Sequence, residues 1–356
     1  MVNTPGKPDG FLAEMLGQPS ALRRAAEGLA GQIDALDALA KRHEKRPVFF
    51  SGMGSSYHAC HVPVTLLAGA RRSTGMVDTA ELLHFRRPVL RQEALLILVS
   101  QSGRSAEVVT LMETIKEGPR PLVVSITNGQ ENPLAQAADI TLDTRTGPEK
   151  GPTTMTFAAT LVVLAAVAEV LAGRPPREAV RDITETTDRA AVAVGTLFEG
   201  REELADRLVE WWGQRPVVIL LGRGTARAAS ETGALLLKEA ARLPAEALES
   251  GQFRHGPLEL AGPDLAAAIV ATEPNTARLD IGIATDLARA GAGVLVIGRT
   301  LGAPAGSQQI PLTDVGRALS PALAMVPFQL LAWRLALQRR RRPGSFTIGS
   351  KVTTSE

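Results

Sequence analysis

Short apolar runs without polar alternation are the feature that most limits how this chain folds. Three of them follow one another in the first half, at 47–51 (PVFFS), 94–100 (ALLILVS) and 122–127 (LVVSIT), and a shorter one covers 138–142 (ADITL). Parallel strands buried on both faces have this pattern, whereas half-exposed strands alternate polar and apolar residues. The pattern predicts an α/β fold with a parallel sheet and helices on both faces.

The same unit recurs in the second half of the chain. The run 216–221 (PVVILL) ends in Gly222-Arg223-Gly224, and further strand-like runs cover 266–271 and 293–298. The first-half turn is Gly52-Met53-Gly54, so the two turns lie 170 residues apart. We therefore predict two tandem copies of one α/β unit. The expected divisions are an N-terminal helical segment at 1–45, a first unit at 46–195, a second unit at 196–340 and a tail at 341–356, with the connection near 173–200.

Composition narrows the class of protein. The net charge of +2 gives no electrostatic reason to expect a nucleic-acid partner. The single cysteine, Cys60, excludes an internal disulfide framework and indicates a reducing compartment. A small buried hydrophobic residue is the default interpretation of Cys60.

No membrane segment is expected. The longest apolar run, Phe157–Gly173, includes Glu169 and is shorter than the roughly 20 apolar residues that a spanning helix needs. It predicts a buried core helix. The first ten residues are polar and rich in proline and glycine, without the apolar region of a secretory signal. We expect a cytoplasmic protein.

Two hydroxyl-rich loops follow the first two strand-like runs. Ligands of open parallel sheets bind at the carboxyl ends of the strands, and short hydroxyls with backbone N–H groups can hold an anion there. Neither a P-loop lysine nor the third glycine of a dinucleotide fingerprint is present. The alternative is that the serines cap helices, which serine favours anyway. The second unit has no Ser-x-Ser-Gly loop, so we expect the anion in the first. The candidate residues are Ser55, Ser56, Ser100, Gln101, Ser102 and Ser105.

Two further residues are candidates for proton transfer. Glu239 ends an apolar helical stretch, where burial raises the pKa of a carboxyl towards that of a general base. The alternative is a solvated carboxylate paired with Lys238 or Arg242. His255 lies in a loop-like segment, FRHGP, ahead of an apolar stretch. His58 and His61 have helical spacing but no third ligand, so we expect no metal and no cofactor.

Several motifs, in this order, resemble the sugar isomerase (SIS) domain family, and most closely the isomerase half of glucosamine-6-phosphate synthase. They are Glu14-x-x-x-Gln18-Pro19, Gly54-Ser55-Ser56, the loop from Ser100 to Ser105, Glu239 with His255-Gly256-Pro257, and the tail around Lys351. The resemblance covers nearly the whole chain. It implies two tandem flavodoxin-like SIS subdomains and a homodimer with shared active sites.

The resemblance also assigns roles to residues of this chain. It implies that the candidate serines and Gln101 hold a sugar phosphate, and that Glu239 is the base for enolisation. It further implies that His255 helps to open the sugar ring and reaches the neighbouring subunit's site. Lys351 corresponds to the Schiff-base lysine, in a tail that closes over the sugar.

The chain also departs from the synthase. No cysteine stands near its start, so we expect no glutamine hydrolysis within these residues. The stretch 153–156 (TTMT) lacks the lysine of the synthase's Ser-Thr-Lys, and Arg104 replaces an acidic residue. Both changes fall beside the expected sugar site and argue against an identical substrate.

These expectations combine into an aldose–ketose isomerase and deaminase of the glucosamine-6-phosphate type. A deglycase that splits a fructosamine 6-phosphate is the alternative within the same chemistry. A non-catalytic sugar-phosphate sensor is the alternative from another class. The duplicated unit and the set of Glu239, His255 and Lys351 favour an enzyme.

Overall fold

The computed structural model describes residues 10–43, 46–116 and 120–355. The described part of the first half forms a five-stranded parallel sheet of β1 (Val48–Gly52), β2 (Thr74–Met76), β3 (Leu95–Val99), β4 (Leu122–Thr127) and β5 (Ile140–Asp143), in the order β2-β1-β3-β4-β5. The predicted strand runs of this half are confirmed.

The second half forms an equivalent sheet of β6 (Val217–Gly222), β7 (Glu246–Glu249), β8 (Leu265–Ala271), β9 (Gly293–Gly298) and β10 (Gln308–Pro311). Its order is β10-β9-β8-β6-β7, and all its strand pairs are parallel. Counted along the chain, this is the order of the first sheet. The two sheets are therefore copies of one flavodoxin-like unit, as predicted.

The α-helices of the described residues are α1 (Gly10–Leu16), α2 (Gln18–Ala30), α3 (Ile33–Arg42), α4 (Ser55–Ala59), α5 (His61–Gly69), α6 (Thr79–Glu81), α7 (Ala106–Ile115), α8 (Pro133–Ala137), α9 (Met155–Leu171), α10 (Pro176–Glu199), α11 (Arg201–Trp212), α12 (Ala226–Ala241), α13 (Ser250–Phe253), α14 (Ala277–Arg289) and α15 (Ser320–Gln338). One large apolar core joins both sheets through α9, α12 and α15, and a smaller core covers the outer face of each sheet. Helices thus pack on both faces of both sheets.

Helix α9 confirms the predicted core helix, because every residue in it except Glu169 is buried. Helix α15 is long and apolar enough to cross a membrane by length and composition alone. However, 89% of its apolar window is buried inside the fold. A helix that is apolar all round is either a membrane span or the centre of a protein core, and this burial indicates the core.

A break at Gly31-Gln32 separates α2 from α3. The side chain of Gln32 is buried and donates to the carbonyls of Gly28 and Asp143, each at 3.0 Å. It also accepts from the N–H of Asp143 at 2.6 Å. The break between α2 and α3 therefore lets one amide side chain satisfy the end of strand β5, a contact that helical periodicity does not reveal.

Candidate functional site

The two hydroxyl-rich loops lie side by side at the carboxyl edge of the first sheet. Strands β1 and β3 are neighbours, and Gly52 at the end of β1 pairs with Val99 at the end of β3. The loops that follow line a cavity of about 180 Å³. The structure brings eight of the nine predicted site residues to it: Ser55, Ser56, Ser100, Gln101, Ser102, Ser105, Glu239 and Lys351.

Glycines give the two loops their shape. Gly54 has a φ of +52°, in the region that glycine favours, and it leads directly into α4. Gly103 has a φ of +59°, and a Cβ built there would lie 1.8 Å from the side-chain oxygen of Asn132. Only glycine can therefore bring the Ser102 loop this close to its neighbour.

The alternative that these serines cap helices is not what the structure shows. Gly54 holds the N-cap position of α4, and no side chain caps that helix. Ser105 holds the N-cap position of α7, yet its hydroxyl makes no capping hydrogen bond. The hydroxyls of Ser100 and Ser102 accept from loop N–H groups, at 3.2 and 3.1 Å. The loops therefore present neutral polar groups at the strand ends, as the binding of an oxyanion requires. The candidate oxyanion cradle consists of Ser55, Ser56, Ser100, Gln101, Ser102 and Ser105.

Glu239 lies near the end of α12 with its carboxylate on the cavity. Burial raises the pKa of Glu239 above its ordinary value, and the opposing charges of Lys351 and Arg242 do not cancel that effect. The ion pairs expected for a solvated carboxylate are not made. Lys238 pairs instead with Glu246 at 3.2 Å, and Arg242 donates to the backbone carbonyl of Glu239. Glu239 thus has the environment of a general base.

Lys351 forms an ion pair with Glu149, a residue that the sequence did not single out. The Lys351 Nζ lies 2.6 Å from Oε2 of Glu149, whose side chain is completely buried. Glu149 also accepts from the backbone N–H groups of Thr154 and Thr156, at 2.9 and 3.1 Å. A lone acidic residue before a threonine-rich stretch carries no sequence signal for this contact, since its partner lies 202 residues away.

The N-terminal motif supports the segment that carries Glu149. The carboxylate of Glu14 accepts from the N–H groups of Lys150 and Gly151, at 2.6 and 3.1 Å. Gln18, four residues later, is buried and exchanges hydrogen bonds with Gln329 of α15. Glu14 and Gln18 therefore hold the site's framework rather than its ligand.

The C-terminal tail is attached on both sides of the cavity. On one side, the guanidinium of Arg242, which follows α12, donates to the carbonyl of Ser345 at 3.1 Å. On the other, the carbonyl of Thr353 accepts from the first N–H of α7, that of Ala106, at 3.0 Å. Between these attachments the tail contributes Phe346, Ser350 and Lys351 to the cavity wall.

The structure does not bring His255 to this cavity. His255 follows α13 and is exposed, as is the nearby apolar side chain of Leu260. Its expected role requires a second copy of the chain and stays a prediction.

The other histidines near the first turn belong to the contact between the two units. His61 lies 3.0 Å from the Glu231 carboxylate of α12, and burial lowers the pKa of His58 to about 4. Across the described residues, no group of three or more His, Cys, Asp and Glu side chains has the arrangement of a metal site. Cys60 is buried, which raises the pKa of its thiol.

Comparison with known proteins supports the fold of two tandem units. The SIS domain model matches residues 42–170 and 214–337, one match on each sheet. The chain belongs to the SIS domain family. This SIS chain is 31% identical over 370 residues to the isomerizing glutamine–fructose-6-phosphate aminotransferase of Pyrobaculum aerophilum, with 100% of the chain and 59% of that protein covered. The corresponding enzyme of Pseudomonas aeruginosa is 29% identical, over 92% of the chain and 56% of the enzyme. The SIS chain thus spans little more than half the length of these relatives.

Solved structures show the same fold. The C-terminal domain of glucosamine-fructose-6-phosphate aminotransferase from Francisella tularensis superposes with a TM-score of 0.85 at 22% identity, covering 97% of this SIS chain and 100% of that domain. Glucosamine-6-phosphate deaminase from Thermotoga maritima superposes with a TM-score of 0.69 at 20% identity, covering 94% and 96%.

Proposed function

We propose that this SIS chain is an aldose–ketose isomerase and deaminase that acts on an amino-sugar 6-phosphate of the glucosamine type. The observation that carries the proposal is one small cavity that joins the oxyanion cradle, the Glu239 carboxylate and the Lys351 amine. Its volume of about 180 Å³ lies below the roughly 300–1,000 Å³ of pockets for drug-sized ligands. A compact phosphorylated sugar suits a cavity of this size.

The cradle holds the phosphate and so fixes the orientation of the sugar. Serine hydroxyls and loop N–H groups donate to the phosphate oxygens, and the start of α7 adds the positive end of a helix dipole. Each neutral donor contributes modestly, so several act together. Ser55, Ser102 and Ser105 are the donors that we expect to matter most, together with Ser56, Ser100 and Gln101.

Glu239 carries out the proton transfer in the open-chain sugar. The carboxylate removes the proton from C2, which bears the amine, and returns a proton to C1. The aldehyde carbon is thereby reduced to the alcohol level, and C2 becomes an imine. A base whose pKa is raised towards neutrality both accepts and returns a proton efficiently.

Release of ammonia then requires attack at C2. Either water adds to the imine directly, or the Lys351 amine displaces ammonia first and water hydrolyses the resulting enzyme-bound imine. The ammonium of Lys351 must lose a proton before it attacks, and the Glu149 carboxylate at 2.6 Å is the nearest acceptor. Both routes yield ketose 6-phosphate and ammonia.

We further propose that the working unit is a cytoplasmic homodimer in which His255 of a second copy completes the site. The exposure of His255, on a surface with exposed Leu260, supports this arrangement. The tail from residue 341 onwards would close over the sugar, as its attachments to Arg242 and Ala106 suggest.

A fructosamine 6-phosphate deglycase would use the same residues in the opposite direction. The proton would move from C1 to C2, the amine would leave from an imine at C1, and the product would be an aldose 6-phosphate. The compact cavity favours ammonia over a bulky amine as the leaving group. A sensor without chemistry would need the cradle alone, and the buried Glu149–Lys351 pair beside Glu239 favours an enzyme.

The test is a panel of glucosamine, galactosamine, mannosamine and fructosamine 6-phosphates, with ammonia, free amine and ketose phosphate measured. We expect ammonia and ketose phosphate in equal amounts from an amino-sugar 6-phosphate, and none from the unphosphorylated sugar. Release of amine only from fructosamines would favour the deglycase. No turnover of any member above the level of a Glu239→Gln variant would contradict catalysis.

A further inference from the structure

The two units can be aligned residue by residue through their strand registers. In the first unit Gly52 of β1 pairs with Val99 of β3, and in the second Gly222 of β6 pairs with Val270 of β8. Gly54 lies two residues after Gly52, and Gly224 lies two residues after Gly222. Both have a φ of +52°. The loops therefore leave the two sheets in the same way.

Counting three residues onward from each pair identifies equivalent positions. In the first unit the count leads to Ser55 and Ser102, two members of the oxyanion cradle. In the second it leads to Thr225 and Glu273. A hydroxyl is thus kept at the first position, whereas the second carries a carboxylate.

The carboxylate of Glu273 accepts hydrogen bonds from two separate segments of the second unit. Its Oε1 accepts from the N–H and the hydroxyl of Thr225, at 2.8 and 2.7 Å, at the start of the 16-residue helix α12. Its Oε2 accepts from Nε of Arg317 at 2.7 Å. Glu273 is only 4% exposed, and a Cβ at Gly224 would lie 2.7 Å from Oε1.

We propose that the second unit carries an oxyanion site of the same design as the first, and that Glu273 occupies it as a built-in ligand. Phosphate is the class of anion that the site would take without this carboxylate. Three donors already converge on it, from Thr225 and Arg317. The anion in the second site is the chain's own carboxylate, so this proposal does not depend on which ligand the first cradle binds.

The site borders a large cavity. Arg317 lines a cavity of about 920 Å³ at the carboxyl ends of β8, β9 and β10. Thr272, the residue before Glu273, lines the same cavity. Removal of the carboxylate would therefore leave the guanidinium of Arg317 facing space that phosphate can enter.

The test is the Glu273→Ser variant, which places at this position the residue type found in the first cradle. Inorganic phosphate is titrated by calorimetry against the wild-type chain and the variant. We expect the variant to bind one more phosphate per chain than the wild type, and the added site to disappear in Glu273→Ser/Arg317→Gln. Glu273→Gln, whose amide still fills the site, is the matched control and should add none.

Thermal unfolding in rising phosphate provides a second readout, since a ligand that binds only the folded state raises the melting temperature. We expect phosphate to raise the melting temperature of Glu273→Ser more than that of the wild type. Equal stoichiometry and equal phosphate dependence would overturn the proposal, as would a variant that fails to fold even in saturating phosphate. If the wild type binds no phosphate, the proposal that the first cradle holds phosphate is contradicted. The proposal for the second unit is tested separately, by the difference in binding between the variant and the wild type.

Discussion

The amine of Lys351, near the end of the tail, lies 2.6 Å from the buried carboxylate of Glu149. This ion pair holds the tail's only lysine at the wall of the cavity that Glu239 also lines. A buried carboxylate is tolerated only when it is paired and hydrogen-bonded, and Thr154 and Thr156 supply the remaining hydrogen bonds. The pair therefore positions the tail and supplies a proton acceptor at the amine.

Replacing Lys351 by arginine separates the ion pair with Glu149 from imine formation. Arginine keeps the positive charge and can keep the pair with Glu149, but it cannot form an imine. If Lys351 forms an imine during turnover, Lys351→Arg loses activity with little change in melting temperature. Borohydride in the presence of ketose phosphate should label the wild-type chain at Lys351 and leave the variant unlabelled. Full activity of Lys351→Arg would show that Lys351 forms no imine during turnover and acts only in closing the site.

The ion pair itself can be measured with a double-mutant cycle. Glu149→Gln leaves the Lys351 ammonium without its partner, and Lys351→Met leaves the Glu149 carboxylate buried and unpaired. Each single change should cost up to about 3–5 kcal/mol in the free energy of unfolding, as for other buried pairs. The double variant should lose clearly less than the sum, by about 0.5–3 kcal/mol. Urea unfolding gives the free energy of unfolding of the wild type, the two single variants and the double variant. Strictly additive losses would show that the two side chains do not interact in solution.

Phosphate recognition by the first cradle predicts a selective effect of Ser102→Ala. A hydrogen bond to a charged group contributes about 1.5–3 kcal/mol, so the affinity for phosphorylated sugars should fall roughly 10- to 100-fold. Binding of unphosphorylated sugars should not change. Ser307→Ala is the matched control, because its hydroxyl bonds to the Pro304 carbonyl in the second unit, at 2.6 Å. Equal weakening for both kinds of sugar would assign Ser102 to the fold rather than to the anion.

Much of the fold can be predicted from the sequence because the central strands are buried on both faces. The apolar runs 95–99 and 265–271 have no exposed side, so their composition alone identifies them. The edge strands β2, β7 and β10 were not predicted. They are short and partly exposed, and β2 has no fully buried residue, so they form no apolar run. Only pairing with a neighbouring strand makes them strands.

Only part of the site, too, can be predicted from the sequence. Clustered serines after apolar runs are visible in the sequence, and the likeness to SIS domains placed Glu239 and Lys351. Glu149 and Glu273 were not found, because their partners lie far along the chain and only the folded register brings them together. His255 is exposed and lies away from the cavity, and its expected role in the site of a second copy stays a prediction.

The environment of Glu239 links activity to stability. Burial raises the pKa of Glu239 from 4.5, so the folded protein keeps a proton at pH values where the unfolded chain has lost it. Stability therefore falls as the pH rises through that range, and above it the buried charge remains a cost. Glu239→Gln should raise the melting temperature at pH 7, and this gain should vanish below about pH 4.5. Thermal melts at both pH values measure it, and a lower melting temperature of the variant at pH 7 would contradict the assigned environment.

The same shift predicts how the wild-type activity depends on pH. The base must be ionised to accept a proton, so kcat/KM should fall on the acid side at a pH above 4.5, the ordinary value for glutamate. Glu246→Gln alters an exposed carboxylate that pairs with Lys238 and should leave this acid limb in place. An acid limb at or below 4.5 would indicate a solvated base.

Deuterium transfer in D₂O tests the central claim, that Glu239 moves the proton between C2 and C1, most directly. With glucosamine 6-phosphate as substrate, we expect the wild type and Glu246→Gln to release ammonia and to place deuterium at C1 of the ketose product. Because a positioned general base contributes roughly 10²–10⁴-fold, Glu239→Gln should lose turnover and exchange by about that factor while its affinity for the sugar phosphate stays near that of the wild type. Near-normal turnover and exchange in Glu239→Gln would show that another residue is the base and that the proposed mechanism is wrong.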